Sequence, residues 1–424
     1  MHKIIAVLWA ATSSVAVAQA QSDVASTSVP AAAPFTLEQA LSAAGASAPA
    51  ADAAQAGVEA AQAARTIAGL RPNPTIQTEL ENVGGSGAYN GFDQAETTVG
   101  LSIPIELGGK RPARVAVADA QTHRARLSAA IAQADVRLQV TLLYIEAVAA
   151  QRRGTIAADQ LRIAGNAHDA AALRVRAGRA SPIEEQRADV ARLNAQANAE
   201  RTQRLAMAAR TNLVRRIGQP VDAPLDEGLL DRLPPAVQGP QQLDSRGTLA
   251  MAAADADLST ADAGIRLARS QQVPDLTVGP GVRRLSATND VAAVFSVSIP
   301  IPLFNAGRAG VAQARAQQRM AQAQQRMTAL DVEQAITDAQ AEADITATLA
   351  RNAQGPAMAA AQEAARIARI GYREGKFGQL DLLDAERTLA DTRLAAIDAL
   401  AAHHNAQARL ERLTAPAPQE ENRP

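Results

Sequence analysis

The chain contains no cysteine. Disulfide staples, thiolate metal sites and an acylated N-terminal cysteine are therefore all excluded. Aromatic side chains are almost as scarce, nine in 424 residues, and Trp9 is one of them. So little bulk argues against a large globular core, whereas the abundant alanine favours long, closely packed helices. An excess of charge of either sign is also missing, with 42 Lys+Arg against 43 Asp+Glu, which gives no support to a nucleic-acid partner. After residue 18 charges interrupt every apolar stretch, so inner-membrane helices are not expected. No phosphate-cradling loop, nucleophile elbow or zinc motif occurs. The five histidines are His2, His123, His168, His403 and His404. Only the last two are neighbours, and adjacent helical residues point about 100° apart, a poor arrangement for one ion. No catalytic, cofactor or metal site is expected, and the chain is not expected to be an enzyme.

The first residues read as an export leader. Met1-His2-Lys3 is a weakly positive start, an apolar run covers 4–18, and Ala18-Gln19-Ala20 is a small-x-small cleavage site. The run is shorter than the ~20 residues of a membrane-spanning helix, so cleavage is favoured over anchoring. Residues 1–20 are assigned to a signal peptide, and the mature chain is expected to begin near Gln21.

An internal duplication organises the rest. Ser102-Ile103-Pro104-Ile105 recurs as Ser298-Ile299-Pro300-Ile301. Gly178-Arg179-Ala180-Ser181 is answered by Gly375-Lys376-Phe377-Gly378, at nearly the same offset and in the same order. Each copy predicts a helix of medium length (36–70 and 243–271), a β-hairpin, a very long helix (113–174 and 310–370) and a shorter returning helix (183–217 and 380–413). Over 98–107, Val99, Leu101, Ile103, Ile105 and Leu107 share one face; over 294–303, Phe295, Val297, Ile299, Ile301 and Leu303 do the same. Period two means strand. Partner strands are expected at 75–82 and 276–285, with hairpin loops at 84–87 and 286–290. Pro104 and Pro300 are taken to mark strand ends, and Pro356 to bend the second long helix. The reading divides the chain into a disordered segment at 21–34, a first repeat at 35–217, an inter-repeat linker at 218–244, a second repeat at 245–414 and a disordered tail at 415–424.

Four strands are too few to close a barrel, and an open sheet with an apolar face is untenable in lipid. Strands from several chains must close one barrel together. The face of Val99 to Leu107 is expected to meet lipid, and Ser102, Glu106, Glu79 and Glu81 a wet lumen. The competing reading is an exported coiled-coil scaffold without a pore, which has no use for matching hairpins in both copies.

Tyr372-Arg-Glu-Gly375-Lys-Phe-Gly378-Gln-Leu-Asp381-Leu-Leu-Asp384 and its counterpart Val175-Arg-Ala-Gly178-Arg-Ala-Ser181 resemble the helix-tip signature of the TolC family of outer-membrane efflux ducts. Together with the duplication, the resemblance covers about 36–413. It implies a mostly α fold with a small β part. Duplicated long antiparallel helices form an α-barrel, and four strands per chain contribute to a shared transmembrane β-barrel. It further implies a homotrimer in the outer membrane of a Gram-negative bacterium with a long periplasmic extension. Its partners would be a periplasmic adaptor protein and an inner-membrane resistance-nodulation-division pump. Gly178, Ser181, Gly375 and Gly378 become adaptor contacts, although Gly378 replaces the more usual serine. Asp381 and Asp384 become an acidic ring at the tunnel entrance; the alternative is that they are helix-start acids. Glu106-Leu-Gly-Gly-Lys110-Arg111-Pro112-Ala-Arg114 and Asn73-Pro74 are similar to the heavy-metal branch, pointing to metal cations as cargo, with organic small molecules as the alternative. The missing N-terminal cysteine departs from acylated members.

Overall fold

A computed structural model describes residues 33–47, 49–232 and 244–418. The expected leader, most of the segment before Phe35, residues 233–243 of the expected linker and the tail beyond 418 lie outside the described residues.

Alanine-rich sequence without interior proline yields rods. Helix α1 (Leu37–Ser47) and α2 (Pro49–Ala68) precede strands β1 (Thr75–Glu81) and β2 (Glu96–Ile105). Then come α3 (Lys110–Arg176) and α4 (Pro182–Ile217). The second set is α5 (Leu249–Ser270), β3 (Leu276–Leu285), β4 (Asp290–Ser298), α6 (Arg308–Asn352), α7 (Met358–Arg373) and α8 (Gln379–Leu413). At 1.5 Å per residue the 67 residues of α3 make a rod of about 100 Å. Toward the sheet α3 packs between α2 and α5, and α5 continues to α6; away from the sheet α3 packs between α4 and α8, with α6 and α7 beyond α8.

Three details differ from the sequence reading. The first helix is two, α1 and α2, rather than one. The second long helix is interrupted by a π turn at Ala353–Ala357, which holds Pro356. A proline has no N–H for the ladder, and the wider turn absorbs the misfit within a rod that otherwise continues. Ala415 and Ala417, expected in a disordered tail, are bonded to Leu249 and Gly247, and Pro416 bridges Thr248.

The main core lies at mid-height. Val140, Tyr144, Val148, Leu213, Ile217, Leu230 and Leu400 are all buried there. Tyr144 donates to the Phe35 carbonyl (2.6 Å) and accepts the Asp226 N–H (3.0 Å), which ties the chain start and the inter-repeat segment to α3. Burial pushes its phenol up to about 12, so it remains a neutral donor.

His403 and His404 lie in this belt, ring centroids 5.6 Å apart. His403 bonds the Ala343 carbonyl of α6 and faces Arg351; His404 bonds the Leu229 carbonyl and faces Arg232. Nδ1 of His403 and Nε2 of His404 are buried without partners. Burial, then the neighbouring positive charges, hold both imidazoles below their usual value. Below about pH 6.5 the unfolded chain takes up protons that the folded chain resists, so this stability is complete above that value and declines as pH falls. The melting temperature is expected to drop between pH 7 and pH 5. In a His403→Gln, His404→Gln variant the slope should be shallower, as measured by thermal unfolding in detergent.

Candidate functional site: the strand sheet and the helix tips

The four strands form one antiparallel sheet in the order β1-β2-β3-β4, leaving β1 and β4 as edges. Thr78 pairs with Val99, Val99 with Val282 and Val282 with Ala293. Strand alternation then sorts the side chains. One face carries Ile76, Leu80, Val99, Leu101, Ile103, Ile105, Leu276, Val278, Val282, Val291, Phe295 and Val297, with Arg284, next to the β3–β4 turn, as its charged member. The other carries Gln77, Glu79, Glu81, Glu96, Thr98, Ser102, Thr277, Arg283, Ser296 and Ser298, with Leu285 and Val294 as its larger apolar members. The polar face is closely pinched. A Cβ on Gly281 would stand 3.0 Å from the Cα of its cross-strand partner Gly100 and 3.0 Å from the Val99 carbonyl oxygen, so Gly281 has no room for a side chain. On the same face Arg283 donates to Glu96 (2.7 Å) and the Thr98 hydroxyl (2.9 Å) and forms an ion pair with Glu81 (3.0 Å). Arg283 carried no sequence signal beyond its place in an alternating strand.

Two expectations about the strands need correction. Pro104 sits inside β2, paired with Thr277, and the strand ends one residue later. β4 spans Asp290–Ser298, so the alternation of Ile299, Ile301 and Leu303 falls outside any strand of the isolated chain. Glu106 also lies past β2. Its carboxylate pairs with Arg114, which reaches on to the Leu70 and Ala68 carbonyls (3.2 and 3.4 Å). Lys110 pairs with Asp275 at 2.7 Å. The segment from Glu106 to Arg114 is thus a clamp that seats the sheet on the helices, and Glu106 does not face a lumen.

At the opposite end, α3 and α7 each close in a glycine turn. Gly178 has φ +70° and Gly375 φ +73°, a left-handed conformation in which a Cβ is strained. The Arg179 N–H bonds the Arg174 carbonyl (2.9 Å) and the Lys376 N–H the Gly371 carbonyl (2.8 Å), so the same helix-ending motif serves both tips. Ser181 caps α4 through its backbone carbonyl, which accepts the Glu184 N–H (2.9 Å). Gly378 precedes α8, and its N–H donates to the Asp381 carboxylate (2.9 Å). Asp381 therefore does the work of a helix-start acid. Asp384, one turn on, is exposed. Gly178, Ser181, Gly375 and Gly378 are all exposed at the tips.

Three tip features carried no role in the sequence reading. Arg174 donates to the Tyr372 hydroxyl (3.3 Å) and lies 6.0 Å from its ring centroid, linking the two tips. Phe377 folds back onto Gly371, where any Cβ would collide with its ring. Arg369 forks onto the buried Glu386, whose carboxylate raises the guanidinium pKa. Tyr372 and Phe377 belong to the tip motif; spacing along one helix could not show which neighbours they meet. Among the described residues no group of three His, Cys, Asp or Glu side chains could hold a metal ion, and no helix is long and apolar enough to cross a membrane.

The model of the family described as "Outer membrane efflux protein" matches residues 40–219 and 243–415. The cobalt-zinc-cadmium resistance protein CzcC of Cupriavidus metallidurans is 31% identical over 404 residues, covering 93% of this chain and 95% of that one. The nickel and cobalt resistance protein CnrC of the same organism is 32% identical over 281 residues, 66% of this chain and 65% of that one. In structure, CusC superposes with a TM-score of 0.73 at 19% identity, covering 91% of this chain and 93% of that one. The chain belongs to the outer membrane efflux protein family: it is an outer-membrane efflux channel subunit, a passive duct and not an enzyme.

Proposed function

We propose that three copies of the chain form a duct for metal cations, standing in the outer membrane and reaching across the periplasm to an adaptor protein and a resistance-nodulation-division pump. The observation that carries this reading is the sheet: four strands, one apolar face, one polar face and two unpaired edges, set on rods of about 100 Å. Such a sheet is stable in a membrane only when copies join edge to edge into a closed barrel, apolar face outward. The printed names of CzcC and CnrC, with their resistance to cobalt, zinc, cadmium and nickel, support divalent metal cations as cargo. With no nucleotide site in its sequence, the duct draws its energy from the pump.

At the tips, Gly178, Ser181, Gly375 and Gly378 contact the adaptor; all four are exposed where the helices turn. Asp384, with Asp381 behind it, rings the entrance and favours cations over anions. Because Asp381 is partly spent on capping α8, Asp384 is the stronger of the two.

A deletion strain tests the reading across a panel of metal salts and organic toxicants. Hypersensitivity to cobalt, zinc or cadmium, restored by the intact gene but not by one lacking both hairpins, is the expected result. Sensitivity confined to organic compounds would discard the metal cargo and keep the duct.

A further inference from the structure

The chain contains its own template for the junction between copies. Inside one chain, the segment leaving β2 packs on the segment entering β3. The Leu107 N–H bonds Asp275 (3.1 Å), Lys110 pairs with Asp275, and Gly108 is so close to Val273 that a Cβ would lie 2.6 Å from the Val273 Cβ. The segment leaving β4 is held by its own chain at its far end, where Gln272 meets Ala306 and Gly307, and the segment entering β1 is held by Arg114, but neither contact covers their apolar side chains. Their side chains are exposed accordingly. Leu303 is 79% exposed where its counterpart Leu107 is 38%, and Ile301 is 77% where Ile105 is 40%. On the β1 side, Ile67 and Leu70 at the end of α2 are exposed as well. Arg114 holds the Ala68 and Leu70 carbonyls against α3, which fixes that end in place.

The two junctions differ in length. One residue separates Leu107 from Gly109, the left-handed residue that starts α3. Three separate Leu303 from Gly307, which starts α6 in the same conformation. The longer loop is held from within: Gln272 donates to the Ala306 carbonyl (3.4 Å), and Asn305 accepts the Gly307 N–H (3.1 Å). Phe304, carried by this loop, has no cover at all. It stands where the internal junction has Gly108.

We infer that Phe304 of one copy seats against Ile67 and Leu70 of the next, sealing the seam between copies at the base of the barrel. This rests on the proposed oligomeric duct and adds the contact that locks it. In antiparallel pairing the end of β4 meets the start of β1, as the end of β2 meets the start of β3. That brings the loop after Ser298 alongside the end of α2 from the neighbour. The contact is heterologous, one surface against a different one, and repeated around an axis it closes a ring. In the closed ring Ile299, Ile301 and Leu303 gain the strand partner that the isolated chain cannot provide, continuing the apolar face of β4.

Because the chain has no cysteine, an engineered pair reports the contact cleanly. Phe304→Cys with Leu70→Cys, oxidised in isolated outer membranes, is expected to give inter-chain cross-linked species on denaturing gels. Neither single variant should do so, nor should Phe304→Cys paired with Met327→Cys. Phe304→Asp is expected to weaken assembly roughly tenfold or more, as loss of a buried aromatic anchor does, while Phe304→Leu retains it. A trimer that tolerates Phe304→Asp, and in which the Phe304→Cys, Leu70→Cys pair does not cross-link, overturns the inference and leaves the duct standing. A wild-type chain that never assembles overturns the duct itself.

Discussion

Valine at Gly375 is expected to abolish metal tolerance while the channel still assembles in the outer membrane. Gly375 has φ +73° and no atom within 4 Å of where a Cβ would be, so nothing but the backbone opposes a side chain there. A left-handed conformation costs an L-residue about 1–2 kcal/mol, and more when it is β-branched. That strain falls on the turn that bonds Gly375 and Lys376 back to Tyr372 and Gly371, and the tip gives way rather than the rods. The rods keep their cores, since the nearest buried cluster, around Ala361, Ala365 and Leu389, lies farther along α7 and α8. Asparagine, which tolerates this conformation, is expected to retain most activity, alanine less and valine none. Gly178, with φ +70° and equally open space, should give the same order. Growth on inhibitory zinc, read beside the amount of assembled channel in outer-membrane fractions, makes the check. Wild-type growth of the valine variant would remove these turns from the docking surface.

Arginine on the apolar face of the sheet is expected to prevent assembly, and arginine on the polar face is not. Val99 and Phe295 lie in the part of the sheet where the register makes one face apolar across all four strands, away from Arg284 at the β3–β4 turn. An arginine there faces the hydrocarbon, at about 2–4 kcal/mol near the bilayer midplane, and every copy in the ring bears it. Gln77 and Ser102 lie on the opposite face, beside groups that are already hydrated. Val99→Arg and Phe295→Arg should disappear from the outer membrane, while Gln77→Arg and Ser102→Arg accumulate normally. The reverse pattern would mean that the sheet faces the other way.

Much of this was legible along the chain because it depends on short-range periodicity. Alternation over residues 98–105 marks β2, since a half-buried strand needs nothing else to declare itself, whereas the less regular 276–285 is placed as the partner strand of its hairpin. The glycines of the two tips could be read as turns, and the shorter returning helices lie within a residue of where the apolar and capping residues put them. The stretch after Ser298 was misread for a definite reason. Its alternation is that of a strand, but a strand needs a neighbour, and β3, which begins at Leu276 and pairs Thr277 with Ser298, gives it none. Pro356 signalled a break, but whether a kink or a π turn results depends on how α6, α7 and α8 pack.

The candidate site divides in the same way. That Asp381 and Asp384 begin a helix follows from their position after Gly378. That Asp381, exposed like Asp384, turns back to the Gly378 N–H is a matter of geometry. The Glu106-to-Arg114 segment looked like a mark of cargo; in place it is a clamp between sheet and helices, because Arg114 reaches the Ala68 and Leu70 carbonyls once α2 packs on α3, and Lys110 meets Asp275 once the two repeats come together. By itself the sequence determined the duplicated plan, the rods, the hairpins and the absence of chemistry, all set by local pattern and composition. Tertiary structure alone decided which face of the sheet is apolar across all four strands, which charges pair across the repeats and which apolar side chains remain uncovered. Those depend on register and on contacts between residues as much as 277 positions apart, as Asp135 and Arg412 are, which no local period encodes.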